Sequence, residues 1–96
     1  MLKIRYSSRF KKDFKAILKR GYDVCIFEDV LNLLRNEQTL PEKYRDHALI
    51  GNYVNHRSCH LTPDWLLIYK IEKDVLTLYL TRTGTHSDLY KKQPAH

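Results

Sequence analysis

The sequence predicts an α+β domain, helical in its first half and an antiparallel sheet in its second. Three observations carry that expectation. Apolar residues recur at helical spacing between Phe10 and Leu34, the run Trp65–Ile71 is almost wholly apolar between two turn signals, and a second strand-like run, Val75–Arg82, follows close behind. Connections this short form hairpins, because a parallel crossover needs a dozen or more residues. With Tyr53–His60 as a weaker, more polar strand before them, the last third of the chain reads as a three-stranded meander.

Taken in order, Leu2–Tyr6 alternates apolar and basic residues and forms one short strand. Ser7 and Ser8 suit the N-cap of a helix, since a serine hydroxyl accepts from first-turn N–H groups that have no other partner. Phe10, Phe14, Ile17 and Leu18 then mark one apolar stripe, and Gly21 ends the helix. A second helix runs from about Asp23 to Asn36, and its wide apolar arc needs two neighbours, the first helix and the sheet. Glu37–Arg45 is a loop; Asp46–Gly51 leads into the meander; after Tyr90 the tail KKQPAH is frayed, and His96 carries no argument.

At 96 residues the chain is expected to be one domain, residues 1–96, with a modest core. No apolar run approaches the roughly 20 residues of a membrane span, and the start shows no signal-peptide h-region, so a cytoplasmic protein is expected. Two cysteines, Cys25 and Cys59, are too few for a disulfide framework and read as buried free thiols. The net charge of +6 is concentrated early, with eight basic residues against Asp13 alone in the first twenty. That asymmetry suits a polyanionic partner, nucleic acid or an acidic protein, gripped by residues such as Lys11, Lys12 and Lys15, in preference to a merely solvated helix face.

If Ile71 faces Val75 across the hairpin, Asp64 comes near Arg82, and the turn at Leu61–Asp64 sets His60 beside Trp65. His60, Asp64, Arg82 and His86 then gather at one end of the sheet. Arg82 is in phase with Leu78 and Leu80, so either a bulge re-aims it or it lies beyond the core. His47 and His56 read as surface residues from their local setting. Metal-ligand spacings such as CxxC or HExxH are absent, and Cys59 and His60, adjacent on a strand, point to opposite faces, which also removes a Cys–His nucleophile. Three glycines, none suitably spaced, exclude a phosphate-binding loop. General acid–base cleavage of RNA fits what remains, with histidines for proton transfer, arginine for phosphate oxygens and Trp65 or Tyr90 for base stacking. From the residues alone a purely structural pairing is the plainer reading.

Three blocks carry a family resemblance: Asp46-His47-Ala48-Leu49 with Gly51, the run from Arg57 through His60, Pro63, Asp64 and Trp65 to Tyr69, and Arg82-Thr83-Gly84-Thr85-His86-Ser87-Asp88-Leu89-Tyr90. Together they resemble the YafQ toxins of the RelE/ParE superfamily. The resemblance implies a β-α-α-β-β-β arrangement, with two N-terminal helices packed on a twisted antiparallel sheet. It also implies an mRNA interferase that cuts message in the ribosomal A site, a cognate antitoxin that neutralises it, and contact with operator DNA only through the toxin–antitoxin complex. No cofactor is implied. The motif positions mark His47, His60, Asp64, Arg82 and His86 as catalytic and Trp65 and Tyr90 as nucleotide-holding, with Tyr90 standing where relatives usually have phenylalanine. His86 and Asp64 are the expected proton-transfer pair and Arg82 the stabiliser of the phosphorane. Two other readings share the fold: a non-enzymatic inhibitor of DNA gyrase, as in the ParE branch, and an inactive autoregulatory relative.

Overall fold

Side-chain caps set where both long helices start. In the structure, a computed structural model that describes residues 1–90, the Ser7 hydroxyl accepts from the Phe10 N–H at 2.8 Å and donates to the Thr81 carbonyl at 2.7 Å. One oxygen thus caps the first helix and pins it to a distant strand. Asp23 caps the second helix by accepting from the Cys25 N–H at 2.9 Å. The predicted tail, 91–96 with His96, lies outside the described residues.

The elements are β1 (Lys3–Tyr6), α1 (Ser8–Lys19), α2 (Val24–Arg35), β2 (His47–Ala48), β3 (Arg57–Thr62), β4 (Trp65–Glu72), β5 (Thr77–Gly84) and α3 (His86–Leu89). They form an α+β fold, with one five-stranded sheet in the order β1-β5-β4-β3-β2. The meander is antiparallel as expected, but β1 lies parallel to β5, so the sheet is mixed. Both helices and three strands separate β1 from β5, and no hairpin dictates its direction. Two further differences are local. Residues 51–53 form a 3₁₀ turn and the strand expected from Tyr53 begins at Arg57, while β2 is a two-residue strand pairing His47 with Ser58.

The β4–β5 hairpin is longer than predicted. Lys73–Val75 makes a 3₁₀ turn and Leu76 takes a left-handed φ of 46°, so Ile71 faces Leu78 instead of Val75. Farther along, the pairing steps from Tyr69–Leu80 to Ile68–Arg82, leaving Thr81 as the extra residue of a bulge. Leu78 and Leu80 therefore face the helices, while Arg82, opposite Ile68, falls out of phase with them.

Alternation along β4 builds two apolar clusters. Trp65, Leu67 and Tyr69 join Leu78, Leu80 and Cys59 against Phe10, Ile17, Phe27, Val30 and Leu34 of the helices. Leu66 and Ile68 face the opposite side, under Leu89, Leu49 and Tyr53. Leu18, expected in the α1 stripe, is exposed, and so is Cys25; of the two thiols only Cys59 is buried. Trp65 is fully enclosed, and its indole N–H donates to the Thr83 hydroxyl at 2.8 Å, which in turn donates to the Leu66 carbonyl at 2.7 Å. It has no face for a nucleotide, so its expected stacking role is replaced by a core one. Among the described residues no helix is long and apolar enough to cross a membrane. Replacing Trp65 by Ala is expected to cost about 3–5 kcal/mol in urea unfolding, the range for emptying a large core site.

Candidate active site

The sheet face turned away from the two long helices carries the histidines. His60 pairs with Leu66 and Ser58 with Ile68, so both side chains lie on that face, and His47, opposite Ser58, joins them. At the end of β5 the chain turns sharply at Gly84, where a Cβ would meet the Asp88 Cβ at 2.9 Å; only glycine permits that approach. Thr85 then caps α3 through a reciprocal box: its hydroxyl accepts from the Asp88 N–H at 3.2 Å, and the Asp88 carboxylate accepts from the Thr85 N–H at 2.9 Å. This places His86 on the first turn of α3 with its ring centroid 5.5 Å from that of His60 and 6.2 Å from that of Tyr90. His47, Ser58, His60, Leu66, His86 and Tyr90 line an open groove of about 420 Å³.

His47 is held from behind. Its Nδ1–H donates to the Arg45 carbonyl at 2.8 Å, which leaves Nε2 as the ring nitrogen outside that bond. Its neighbour Asp46 points the other way, accepting from the Arg57 guanidinium at 3.0 Å and from the Tyr69 hydroxyl, so β2 is anchored through the sheet. Burial, reinforced by the positive potential of His86, Arg45 and His47, holds the His60 imidazole below its ordinary pKa, against a hydrogen bond to the Pro63 backbone that works the other way. At neutral pH His60 is therefore the uncharged form, ready to accept a proton. Burial keeps the Tyr90 phenol protonated and pushes the Cys59 thiol up to about 12, leaving Cys59 inert on the far face.

Two residues expected in this cluster stand apart from it. Asp64 occupies the β3–β4 turn, where its carboxylate accepts from the Tyr22 hydroxyl at 2.7 Å. The longer hairpin carries Arg82 away from it: Arg82 lies opposite Ile68, and the predicted Asp64–Arg82 juxtaposition does not form. Arg82 instead makes a two-pronged ion pair with Asp13 of α1, at 2.7 and 3.2 Å, with both side chains largely enclosed. The same carboxylate accepts from the Thr83 N–H at 3.2 Å, on the β5 edge that β1 no longer covers. Lys11, Lys12 and Lys15 are exposed on α1, within the helix layer on the other side of the sheet from the groove. His56 bonds its ring to the Val54 carbonyl and lines a separate hollow with Arg5, Lys70 and Tyr79.

Sequence reasoning overlooked Arg45. It holds a left-handed φ of 49°, borders a second hollow with His60, and is near enough to depress the His60 pKa. Its position two residues before His47 was the available signal. Among the described residues no group of three or more His, Cys, Asp or Glu side chains is disposed to hold a metal ion.

Residues 2–91 match the family model described as the bacterial toxin of a type II toxin–antitoxin system, YafQ. The mRNA interferase toxin YafQ of Escherichia coli K12 is 40% identical over 88 residues, covering 91% of this chain and 94% of that protein. Among solved structures, a metal-bound toxin from Helicobacter pylori is similar at 46% identity and a TM-score of 0.87, covering 93% of this chain and 99% of that one. An E. coli DinJ–YafQ complex is similar at 38% identity and a TM-score of 0.84, covering 94% and 99%. With sequence and fold in agreement over nearly its whole length, the chain belongs to the YafQ family of bacterial type II toxin–antitoxin toxins.

Proposed function

We propose that this protein is the toxin of a type II pair and cuts messenger RNA in the ribosomal A site, by attack of a ribose 2′-hydroxyl on the adjacent phosphate. The observation that carries this reading is the pair His60 and His86, ring centroids 5.5 Å apart in an open groove. His60, held neutral, takes the 2′-hydroxyl proton; the 2′-oxygen bonds to phosphorus as the P–O5′ bond breaks; His86, in its protonated form, donates to the departing 5′-oxygen. The products are a 2′,3′-cyclic phosphate and a 5′-hydroxyl, with no water consumed.

Arg82 is engaged by Asp13, so the cation for the phosphorane is Arg45, which lies beside His60. His47 presents Nε2 to the groove and orients the phosphate. Tyr90, 43% exposed beside His86, offers its ring to a base. A pure protein binder of this fold requires no such histidine pair. The DinJ–YafQ complex supports a cognate antitoxin as partner here. Lys11, Lys12 and Lys15 serve as contacts to ribosomal RNA, away from the chemistry, and keep the protein on the ribosome through salt-sensitive phosphate contacts.

The test is cleavage of message in a reconstituted translation reaction. Wild-type protein is expected to cut at A-site codons, and His86→Ala to cut about 10²–10⁴-fold more slowly, the scale of one lost proton-transfer group. A folded His86→Ala protein that cuts at the wild-type rate would remove His86 from the mechanism.

His60 makes a separate pH prediction. Its folded pKa lies below the unfolded value, so between the two the unfolded chain binds more protons, and stability falls as pH drops through the window below 6.5. His60→Asn is expected to flatten that acid-side decline in urea midpoints measured between pH 7 and pH 5. An unchanged slope would show that the decline belongs to other groups.

A further inference from the structure

The sheet face that carries the histidine groove continues past it toward β1, and there it becomes basic and aromatic. Ile4, Tyr69, Ile71, Leu78 and Leu80 pack into the core under the helices, so Arg5, Lys70 and Tyr79, which alternate with them, lie on the groove's face. The three form one row across three strands, with Arg5 and Lys70 as the register partners of Tyr79 on either side. The Lys70 ammonium sits 5.2 Å from the Tyr79 ring centroid, and its ion pair with Glu72 is long, at 4.0 Å. A hollow of about 290 Å³ opens over this row, bordered also by His56. Tyr53 spans the stretch between hollow and groove. It packs with Leu66 and Ile68, meets His56 edge-on at 5.9 Å between centroids, and lies near enough to Tyr90 to bear on its phenol. Lys70 comes four residues after Leu66 on β4, roughly 13 Å along the strand from the groove floor.

We infer that this row is a second subsite for single-stranded RNA, holding nucleotides that flank the cleaved phosphate, with the Tyr79 ring stacking on a base and Arg5 and Lys70 contacting phosphates. The inference rests on the nuclease reading above and extends its substrate from the reacting nucleotides to a longer strand. Two features favour this occupant over an acidic protein segment. Rings and cations alternate along the path from Tyr90 through Tyr53 and His56 to Tyr79, which matches a strand that offers a flat base and a phosphate at each step. An acidic peptide would engage the cations and leave the ring faces unused. The row also shares its face with the groove, so one strand occupies both without crossing the sheet. The Lys70 stem is flexible, so its ammonium moves from the ring to a phosphate as a base takes its place.

The probe is 2′-O-methyl RNA, which lacks the attacking hydroxyl and so reads binding apart from cleavage. Fluorescence anisotropy compares a trinucleotide, long enough for the groove, with a decamer that also reaches the hollow. Wild-type protein should bind the decamer more tightly, and Tyr79→Leu should lose about tenfold of that decamer affinity, the scale of one base–aromatic stack. Lys70→Ala and Arg5→Ala should each lower the slope of log K against log salt by about 0.7, as for one phosphate contact on a single strand. Lys43→Ala removes one positive charge from an exposed site elsewhere and should keep the wild-type slope. An equal fall in Lys43→Ala would show that the charge effect belongs to no particular site, and the inference would be overturned.

Circular dichroism melts establish that each variant is folded; if Tyr79→Leu does not fold, Arg5→Ala and Lys70→Ala read the same subsite. If the decamer keeps its full advantage over the trinucleotide in all the row variants, the row holds no RNA and the inference fails. If a decaglutamate peptide competes with the decamer while Tyr79→Leu loses no affinity, the occupant is an acidic protein segment and the inference fails equally. Should the variants bind as expected while wild-type protein cuts no message in the translation reaction, the subsite stands and the nuclease reading falls. Cleavage by wild-type protein, with undiminished decamer binding in the variants, gives the opposite result.

Discussion

Strand β4 is buried on both of its faces, and that double burial divides the molecule into two sides. Trp65, Leu67 and Tyr69 face α1 and α2, while Leu66 and Ile68 face the β2–β3 connection and α3. A strand's side chains alternate strictly, so a one-residue slip would exchange the two sets and bring the wrong partners to each. Residues paired across the strands inherit the division: Cys59 goes under the helices, and His60 and Ser58 go to the groove. The helix side supplies most of the core, and the other side has just enough apolar floor to support a polar site above it.

The bulge at Thr81 makes this division useful. Without the extra residue, the inward phase of Leu78 and Leu80 would carry Arg82 into the apolar layer beneath the helices. A guanidinium there would face a desolvation cost that only a good partner offsets. With the bulge, Arg82 leaves the core at the sheet edge and meets Asp13, which also satisfies the Thr83 N–H that β1 leaves uncovered. Asp13 is the one acid in an otherwise basic stretch, and this pair accounts for its place there.

The groove draws on parts that are far apart in sequence. His47 depends on the Arg45 carbonyl, and β2 on Asp46 with Arg57 and Tyr69. His86 depends on Gly84, Thr85 and Asp88, and through Asp88 on Arg20 at the end of α1. The electrostatics follow from the crowding: three imidazoles and Arg45 share one small region, and burial and that positive potential hold the His60 imidazole below its ordinary pKa.

Residue pattern alone was enough for the two helices, the hairpin strands and the opposition of Cys59 to His60, because helical and strand periods are local properties of the chain. The histidines His47, His60 and His86 and the ring of Tyr90 were legible as a set from the motif blocks, and they do line one groove. The parallel edge strand β1 was out of reach, since nothing local records which distant strand it will pair with. So were the hairpin register, which turned on a left-handed Leu76, and the bulge at Thr81. Those two details, small in the backbone, decided that Arg82 went to Asp13 and not to Asp64. The sequence by itself determined which side chains were available and which elements carried them. Only the tertiary structure decided which of them meet, because strand register and edge pairing are set by packing between segments and have no periodic signature along the chain.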